Sequence, residues 1–470
     1  MMTSWMPSLS DGAGPIYVRL ADRIEADIAA GTLPTGAKLP PQRNLAFDLG
    51  VTIGTVGRAY ALVRERGLVS GEVGRGTFVL GSGAEPARQP QPEVFGGTRF
   101  APMPGKLRMD STAAPNVGQT HQIAELAARI ARDHAAEMLD YIRQPLPSWL
   151  EAGRAWLSRP GWEPQTEAIV PTAGAHAAIM AVIAAMTAPG DRIVFEALTY
   201  SSIARSAALI GRRPVMVEID SDGMIPEDFE RVCSQQHPKL AFLMPSLHNP
   251  TLATLPASHL AEIVGIARRH NVWLIEDMVF GNLVDGAPGP LVMLAPERTF
   301  YVGSLSKSVA AGLRAGWVAC PPHTAQRVHT ASRMVAGSLP TFLMTETAAR
   351  LVLSGEADAI RRTVRAETAA REAIAKDILV GSDFGSRPDI PFLWMKLPEP
   401  WLSGLFRRAV ADEGVLVDEE DEYKPARTER THHRIRVGFS SVATREEVAR
   451  GFNTIRRVLE GGIAGHDSFG

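Results

Sequence analysis

Two hydroxyls, a lysine and an arginine crowd one short stretch of this chain. Tyr301-Val302-Gly303-Ser304-Leu305-Ser306-Lys307-Ser308 is followed by Gly312-Leu313-Arg314-Ala315-Gly316-Trp317. A lysine amine forms a Schiff base with an aldehyde. Ser304, Ser306 and Arg314 offer the hydroxyls and guanidinium that a phosphate dianion needs. An aldehyde that carries a phosphate is pyridoxal 5'-phosphate (PLP), so the stretch reads as a pocket for that molecule around Lys307.

Further parts of such a site occur in chain order. Pro171-Thr172-Ala173-Gly174-Ala175-His176-Ala177-Ala178 is a small-residue turn into a helix, and free N–H groups at a helix start bind phosphate. Tyr200 follows a strand and can stack on a pyridine ring. Asn249, in Pro245-Ser246-Leu247-His248-Asn249-Pro250-Thr251, follows another strand, with an amide suited to a phenolic oxygen. Asp277 ends a third, where a carboxylate keeps the ring nitrogen protonated and the ring an electron sink. Each piece alone is weak, because lone lysines are usually surface residues and strand-end aspartates are often caps. The ordered set carries the reading. His176 reads as a backbone N–H donor rather than a metal ligand, and no metal site is expected.

The elements that must position these residues form the last of three zones. At 470 residues the chain has room for at least two domains. A hydrophobic share of 45% with 21% charged residues is ordinary for a globular protein. The net charge of −2 excludes a wholly basic nucleic-acid binder, so any DNA contact must be local. Cys233 and Cys320 form no paired motif, and no signal segment or membrane-length apolar run is read. The cytoplasm is the expected location. Residues 1–80 form a front domain. Residues 81–105, rich in Pro, Gly and Gln, read as a flexible linker. Residues 106–470 alternate apolar strands (Ile193-Val194-Phe195, Pro214–Val217, Leu240–Met244, Val272–Ile275, Gly316–Ala319) with helical stretches. That pattern predicts an α/β fold with parallel strands. A smaller α+β lobe is expected over about 350–470, ending in a helix through Glu446–Leu459.

In the front domain, Tyr17, Leu20, Ile24 and Ile28 share one helical face, and Gly31 ends that helix. Leu45 to Val56 reads as helix, turn at Gly50, helix, with Thr52 capping the second. Val56, Tyr60 and Val63 pack it inward. A hairpin from Gly67 to Val79, with its tip at Gly74-Arg75-Gly76, completes a winged helix-turn-helix, which inserts its second motif helix into the DNA major groove.

This zone resembles the GntR family of bacterial regulators through Leu39-Pro40, Arg43, Leu45-Ala46, Leu49-Gly50-Val51-Thr52, Thr55-Val56, Arg58-Ala59-Tyr60 and Gly74–Val79. The resemblance implies DNA contacts from Arg43, Thr52 and Thr55 and a wing tip at Gly74. Arg58 and Arg75 suit phosphates. Ile53 stands where many family members carry arginine, so guanine readout is reduced and a thymine methyl becomes a candidate contact.

The rear zone resembles fold-type I aminotransferases. By that resemblance Lys307 forms the PLP aldimine, Asp277 pairs with the ring nitrogen, Asn249 with the phenolic oxygen, and Tyr200 stacks. Ser304, Ser306, Arg314 and the turn Gly174-Ala175-His176 hold phosphate. Tyr141 reaches the phosphate of a neighbouring subunit, and Arg436 binds a substrate α-carboxylate. Phe280 replaces a usual tyrosine. The run Asp418-Glu419-Glu420-Asp421-Glu422 is expected to be a solvated loop, or else a gate that favours amine-bearing ligands. The combination resembles the MocR-type regulators. It implies a domain-swapped head-to-tail homodimer that binds a double-stranded operator and senses an amine, an amino acid or PLP itself. The alternative is a working amino-acid aminotransferase with an accessory DNA-binding domain.

Overall fold

The computed structural model describes residues 5–9, 14–72, 76–80, 105–284, 289–426, 428 and 430–462. The chain divides into two compact units, Met1–Val94 and Phe95–Gly470. The expected linker, save residue 105, and the wing-tip residues Gly74 and Arg75 lie outside the described residues.

The front unit has helices α1 (Ile16–Ala29), α2 (Gln42–Asp48) and α3 (Ile53–Glu65), then strands β1 (Val69–Glu72) and β2 (Gly76–Val79). Leu20, Ala21 and Ile24 of α1 meet Val56, Ala59, Tyr60 and Val63 of α3 in a closed core. Those spacings of three and four put each set on one helical face. The Thr52 side chain accepts from Thr55 N at 3.2 Å and so caps α3 as expected. The strands pair antiparallel, with Val69 opposite Val79 and Glu72 opposite Gly76. The first strand begins at Val69 rather than Gly67, because Gly67, at φ +72°, still donates to Arg64 O in closing α3.

The second unit is built on a seven-stranded sheet in the order β4-β12-β11-β10-β9-β5-β6. After β3 (Leu107–Arg108) come α4 (Gln119–Asp133), α5 (Pro147–Leu157), β4 (Ile169–Thr172) and α6 (Ala175–Met186). Then follow β5 (Arg192–Glu196), α7 (Ser201–Leu209), β6 (Arg213–Val217), the small hairpin β7 (Ile219–Asp220) and β8 (Gly223–Met224), and α8 (Pro226–Gln236). The series ends with β9 (Leu240–Leu243), α9 (Ala257–Arg269), β10 (Trp273–Asp277), β11 (Thr299–Ser304) and β12 (Gly316–Ala319). Strands β4, β9 and β11 are buried at every position, which explains why none of them alternates apolar with charged residues: helices cover both faces.

The sheet is not wholly parallel. Strand β12 runs antiparallel to both β11 and β4. Residues 305–315, which carry Lys307, join β11 to β12 with only a 3-10 turn at Ala311–Leu313. A parallel return needs a crossover of a dozen or more residues, usually through a helix.

The smaller lobe holds a sheet in the order β13-β14-β17-β16, with β13 (Phe384–Gly385), β14 (Phe392–Lys396), β16 (Asp418–Glu419) and β17 (Arg434–Gly438). Helices Glu356–Ile378 and Arg445–Gly461 pack against it through Ala375, Phe452, Ile455 and Val458. Strand β15 (Val415–Leu416) pairs in parallel with β3, and Met109 enters the lobe's core. The lobe therefore also draws on residues near 107–109, which the expected boundary near 350 leaves out.

Candidate functional site

Strand ends set the site. The carboxyl ends of β4, β5, β9, β10 and β11 lead into Gly174, Tyr200, Asn249, Asp277 and Ser304–Lys307, the edge where open α/β sheets bind ligands. A cavity of about 270 Å³ opens there. Of the residues expected at a cofactor or substrate, Ala175, His176, Tyr200, Asn249, Asp277, Ser304, Ser306, Lys307, Arg314 and Arg436 line it. Gly174 contributes backbone at the start of α6, with φ +91°. Tyr141 does not line this cavity and is 79% exposed.

At one end stand the donors for an anion. The first turn of α6 presents its N–H groups, and a helix start carries partial positive charge. Gly316 of β12 lies against that turn so tightly that a Cβ there would sit 2.9 Å from Gly174 C and 3.0 Å from Ala175 N. Arg314, held at φ +48°, donates to Ala173 O at 3.1 Å. Burial, with Arg314 nearby, holds the His176 imidazole below its usual pKa, so the ring is neutral near pH 7. His176 sits edge-on to Tyr200, with ring centroids 6.0 Å apart.

In the middle, Lys307 Nζ donates to Thr112 Oγ1 at 2.9 Å and lies 5.6 Å from the Phe280 ring centroid. Phe280 stacks edge-on to Phe392 at 5.4 Å. Asp277 accepts from Val279 N at 2.9 Å. Burial pushes its carboxyl up to about 6, against the pull of that N–H and of Lys307. A half-buried carboxylate this costly to ionise is suited to a cationic partner such as a protonated ring nitrogen.

The far end differs. Arg436 is buried, with Phe392 and Tyr423 rings at 5.3 and 5.1 Å. Its Nη1 donates to Asn249 Oδ1 at 2.9 Å, which turns the Asn249 amide nitrogen away from the guanidinium. Its Nη2 donates to Asp418 Oδ2 at 2.6 Å and to Asp110 O at 3.2 Å. Asp418 also accepts from the Tyr423 hydroxyl at 2.6 Å. Asp418 and Arg436 are direct cross-strand partners on β16 and β17. Removing one member of such a buried pair typically costs about 3–5 kcal/mol.

The acidic run is thus not a solvated loop. Asp418 and Glu420 are buried. Glu420 accepts from His432 N and Arg434 N and pairs with Lys424. Glu419 pairs with Arg407 at 2.9 Å, and Glu422 with Arg205 at 3.4 Å. The sequence shows acidity but not the His432 and Arg434 backbone N–H groups or the Arg407 and Arg205 side chains brought to it from other segments.

Sequence reasoning missed Arg108, Asp110 and Thr112. Arg108 lines the cavity and donates to both Asp110 carboxylate oxygens, at 2.8 and 3.0 Å. No periodicity marks this segment, which crosses from the small lobe to the cavity. The one available signal is Arg-x-Asp beside Ser-Thr, and it is weak.

In the front unit, Arg43, Thr52 and Arg58 are exposed and Thr55 is half-buried. The Thr52 and Thr55 hydroxyls are 2.9 Å apart. Ile53 is 50% exposed, and Phe47, which sequence reading passed over, is 87% exposed. Phe47 lies four residues after Arg43 and shares its face of α2.

Residues 111–452 match the family model for aminotransferase class I and II, and residues 16–79 match that for bacterial regulatory proteins, gntR family. The HTH-type transcriptional regulator YdeF of Bacillus subtilis is 28% identical over 97% of this chain and 97% of its own length. The vitamin B6 salvage pathway transcriptional repressor PtsJ of Salmonella typhimurium is 30% identical over 67% of this chain and 70% of its own. Among solved structures, LysN, the alpha-aminoadipate aminotransferase of Thermus thermophilus, superposes with a TM-score of 0.69 at 22% identity, covering 79% of this chain and 98% of that one.

Proposed function

The chain belongs to the aminotransferase class I and II family, with a gntR-type reader ahead of it, and from that premise we propose that its cavity binds PLP and that the cavity's ligand state sets DNA affinity. It is a DNA-binding transcriptional regulator of the MocR type. Among the described residues no helix is long and apolar enough to cross a membrane.

What carries the cofactor reading is the meeting of Lys307, Asp277, Asn249 and the α6 donors around one cavity. PLP, when bound, supplies an electrophilic carbonyl carbon and an electron-withdrawing ring. Ser304, Ser306, Arg314 and the Ala175 and His176 amides would hold the phosphate. Asp277 would pair with the ring nitrogen, Asn249 with the phenolic oxygen, and Tyr200 would stack on the ring. Lys307 would present its amine to the carbonyl carbon. Thr112 accepts from the Lys307 amine at 2.9 Å, which fixes the position of that amine in the cavity.

The reading includes a head-to-tail homodimer in which Tyr141 reaches the phosphate of a second copy. The exposure of Met138 (46%), Leu139 (90%) and Tyr141 (79%) on one segment supports a covered face there. Arg43, Thr52, Thr55 and Arg58, with Gly74 and Arg75 at the wing tip, contact the operator. A ligand then shifts operator affinity only by its differential binding to the arrangements the dimer adopts, about 5–150-fold.

The test uses the full-length protein. PLP should raise a visible absorbance band that Lys307→Ala abolishes, and PLP or an amine should change affinity for the protein's own upstream DNA at a stated salt concentration. A colourless protein, or a band that survives in Lys307→Ala, would rule out the cofactor reading. DNA affinity indifferent to every cavity ligand would rule out the sensing.

A further inference from the structure

We infer that the ligand of this cavity is a primary amine that carries no carboxylate; the inference rests on the cofactor reading above. The family resemblance assigns Arg436 to a ligand α-carboxylate. A guanidinium grips a carboxylate through two parallel N–H donors. It has two such forks, Nη1 with Nη2 and Nε with Nη2, and both run through Nη2. In this chain Nη2 spends its two hydrogens on Asp418 Oδ2 and Asp110 O, so neither fork is open. The remaining fork member, Nε, is buried without a partner, and the Phe392 and Tyr423 rings flank the guanidinium.

The second arginine at this end is matched too. Arg108 gives Nε and Nη2, its side-on fork, to the Asp110 carboxylate. Two arginines thus face two aspartates, and among the described residues the charges at this end of the cavity balance. An incoming carboxylate would have to evict Asp418 from a cross-strand pair that the Tyr423 hydroxyl also holds. Otherwise it would lie beside Asp418 in a place shielded from water, where like charges repel strongly. An amine lacking the carboxylate meets neither obstacle. With the cofactor held through Lys307, such an amine would exchange at the imine carbon: a C=N bond to the amine would replace the C=N bond to Lys307, and the amine's two protons would pass to Lys307 Nζ.

The experiment titrates PLP-loaded full-length protein with matched pairs, ethylamine against L-alanine and 1,5-diaminopentane against L-lysine. Visible absorbance is followed at one pH. Each amine should half-saturate at a concentration about tenfold or more below that of its parent amino acid. Asp418→Asn keeps an acceptor for Tyr423 but removes the charge. It should improve L-alanine about tenfold and move ethylamine by less than about threefold. Tyr423→Phe leaves Asp418 charged and should keep the amine preference, which covers the case of an Asp418→Asn protein that does not fold. Amino acids binding as well as their amines in the wild type, or an unchanged ratio in a folded Asp418→Asn, overturns the inference while leaving the cofactor reading intact. No visible band on adding PLP overturns both.

Discussion

The two ends of one cavity are provisioned in opposite ways. At the α6 end Arg314 donates to a backbone carbonyl and, among the described residues, has no carboxylate partner, and the helix start adds further N–H groups. At the β17 end Arg436 and Arg108 are each answered by an aspartate of the same chain. An arginine count favours the β17 end, with two against one. Pairing separates them: uncompensated positive charge marks where an anion belongs, and compensated charge marks where one does not. Asp277 lies between, a half-buried acid near Lys307 and without a salt bridge of its own among the described residues.

The largest expected effect tests that middle position. The folded-state pKa of Asp277, about 6, lies above its ordinary 3.8. A carboxyl raised in this way favours folding when protonated. Its stability contribution is intact below about pH 4 and is lost as pH rises to about 6. The gap corresponds to about 3 kcal/mol. Asp277→Asn should therefore stabilise the cofactor-free protein by up to about 3 kcal/mol above pH 6 and by almost nothing near pH 4, as read by denaturant unfolding. The same change should weaken PLP binding roughly 100-fold, because a charge-assisted contact to the ring is lost. A gain at pH 4 equal to that at pH 7 would contradict the burial argument.

A smaller effect tests the phosphate end. A methyl at residue 316 would press on the Gly174 and Ala175 backbone, and overpacking costs about 1–3 kcal/mol. Gly316→Ala should push β12 from the first turn of α6 and weaken PLP about tenfold. Pyridoxal, which has no phosphate, should bind the variant and the wild type alike. Equal losses for both ligands would mean the cavity had collapsed as a whole.

The gathering of residues at the α6 end and middle of the cavity was legible in the sequence because they lie within a few positions of strand ends, and local order along the chain preserves strand-end order in an α/β sheet. Lys307, Asp277, Asn249 and Arg314 could be read in that way. The β17 end was not legible, because much of the pairing there is non-local. Asp418 meets Arg436 only through the register of β16 on β17. Arg108 and Asp110 arrive on a segment that strand β15 draws into the small lobe. An acidic run was visible, but whether it was solvated or buried depended on partners such as Lys424, Arg407 and Arg205, scattered over two lobes. The antiparallel turn of β12 was hidden for a related reason: an apolar strand reads the same in either direction, and only the short connection through Lys307 fixes it.

The smallest expected effect lies at the junction of the two ends. Phe280 packs against Phe392, which also flanks Arg436, and its ring centroid is 5.6 Å from Lys307 Nζ. An aromatic face favours the charged form of a nearby nitrogen, and phenylalanine offers no hydroxyl to a phenolic oxygen in the cavity. Phe280→Tyr adds a donor that stabilises a phenolate, and a hydrogen bond to the deprotonated form lowers the pKa. The visible band of the PLP-loaded variant should therefore change at a pH about one unit lower than in the wild type, equivalent to roughly 1.4 kcal/mol. Its preference between ethylamine and L-alanine should not move, since that preference belongs to Asp418 and Arg436. A variant that shifts the preference and not the pH would place the boundary between the two ends on the wrong side of Phe280.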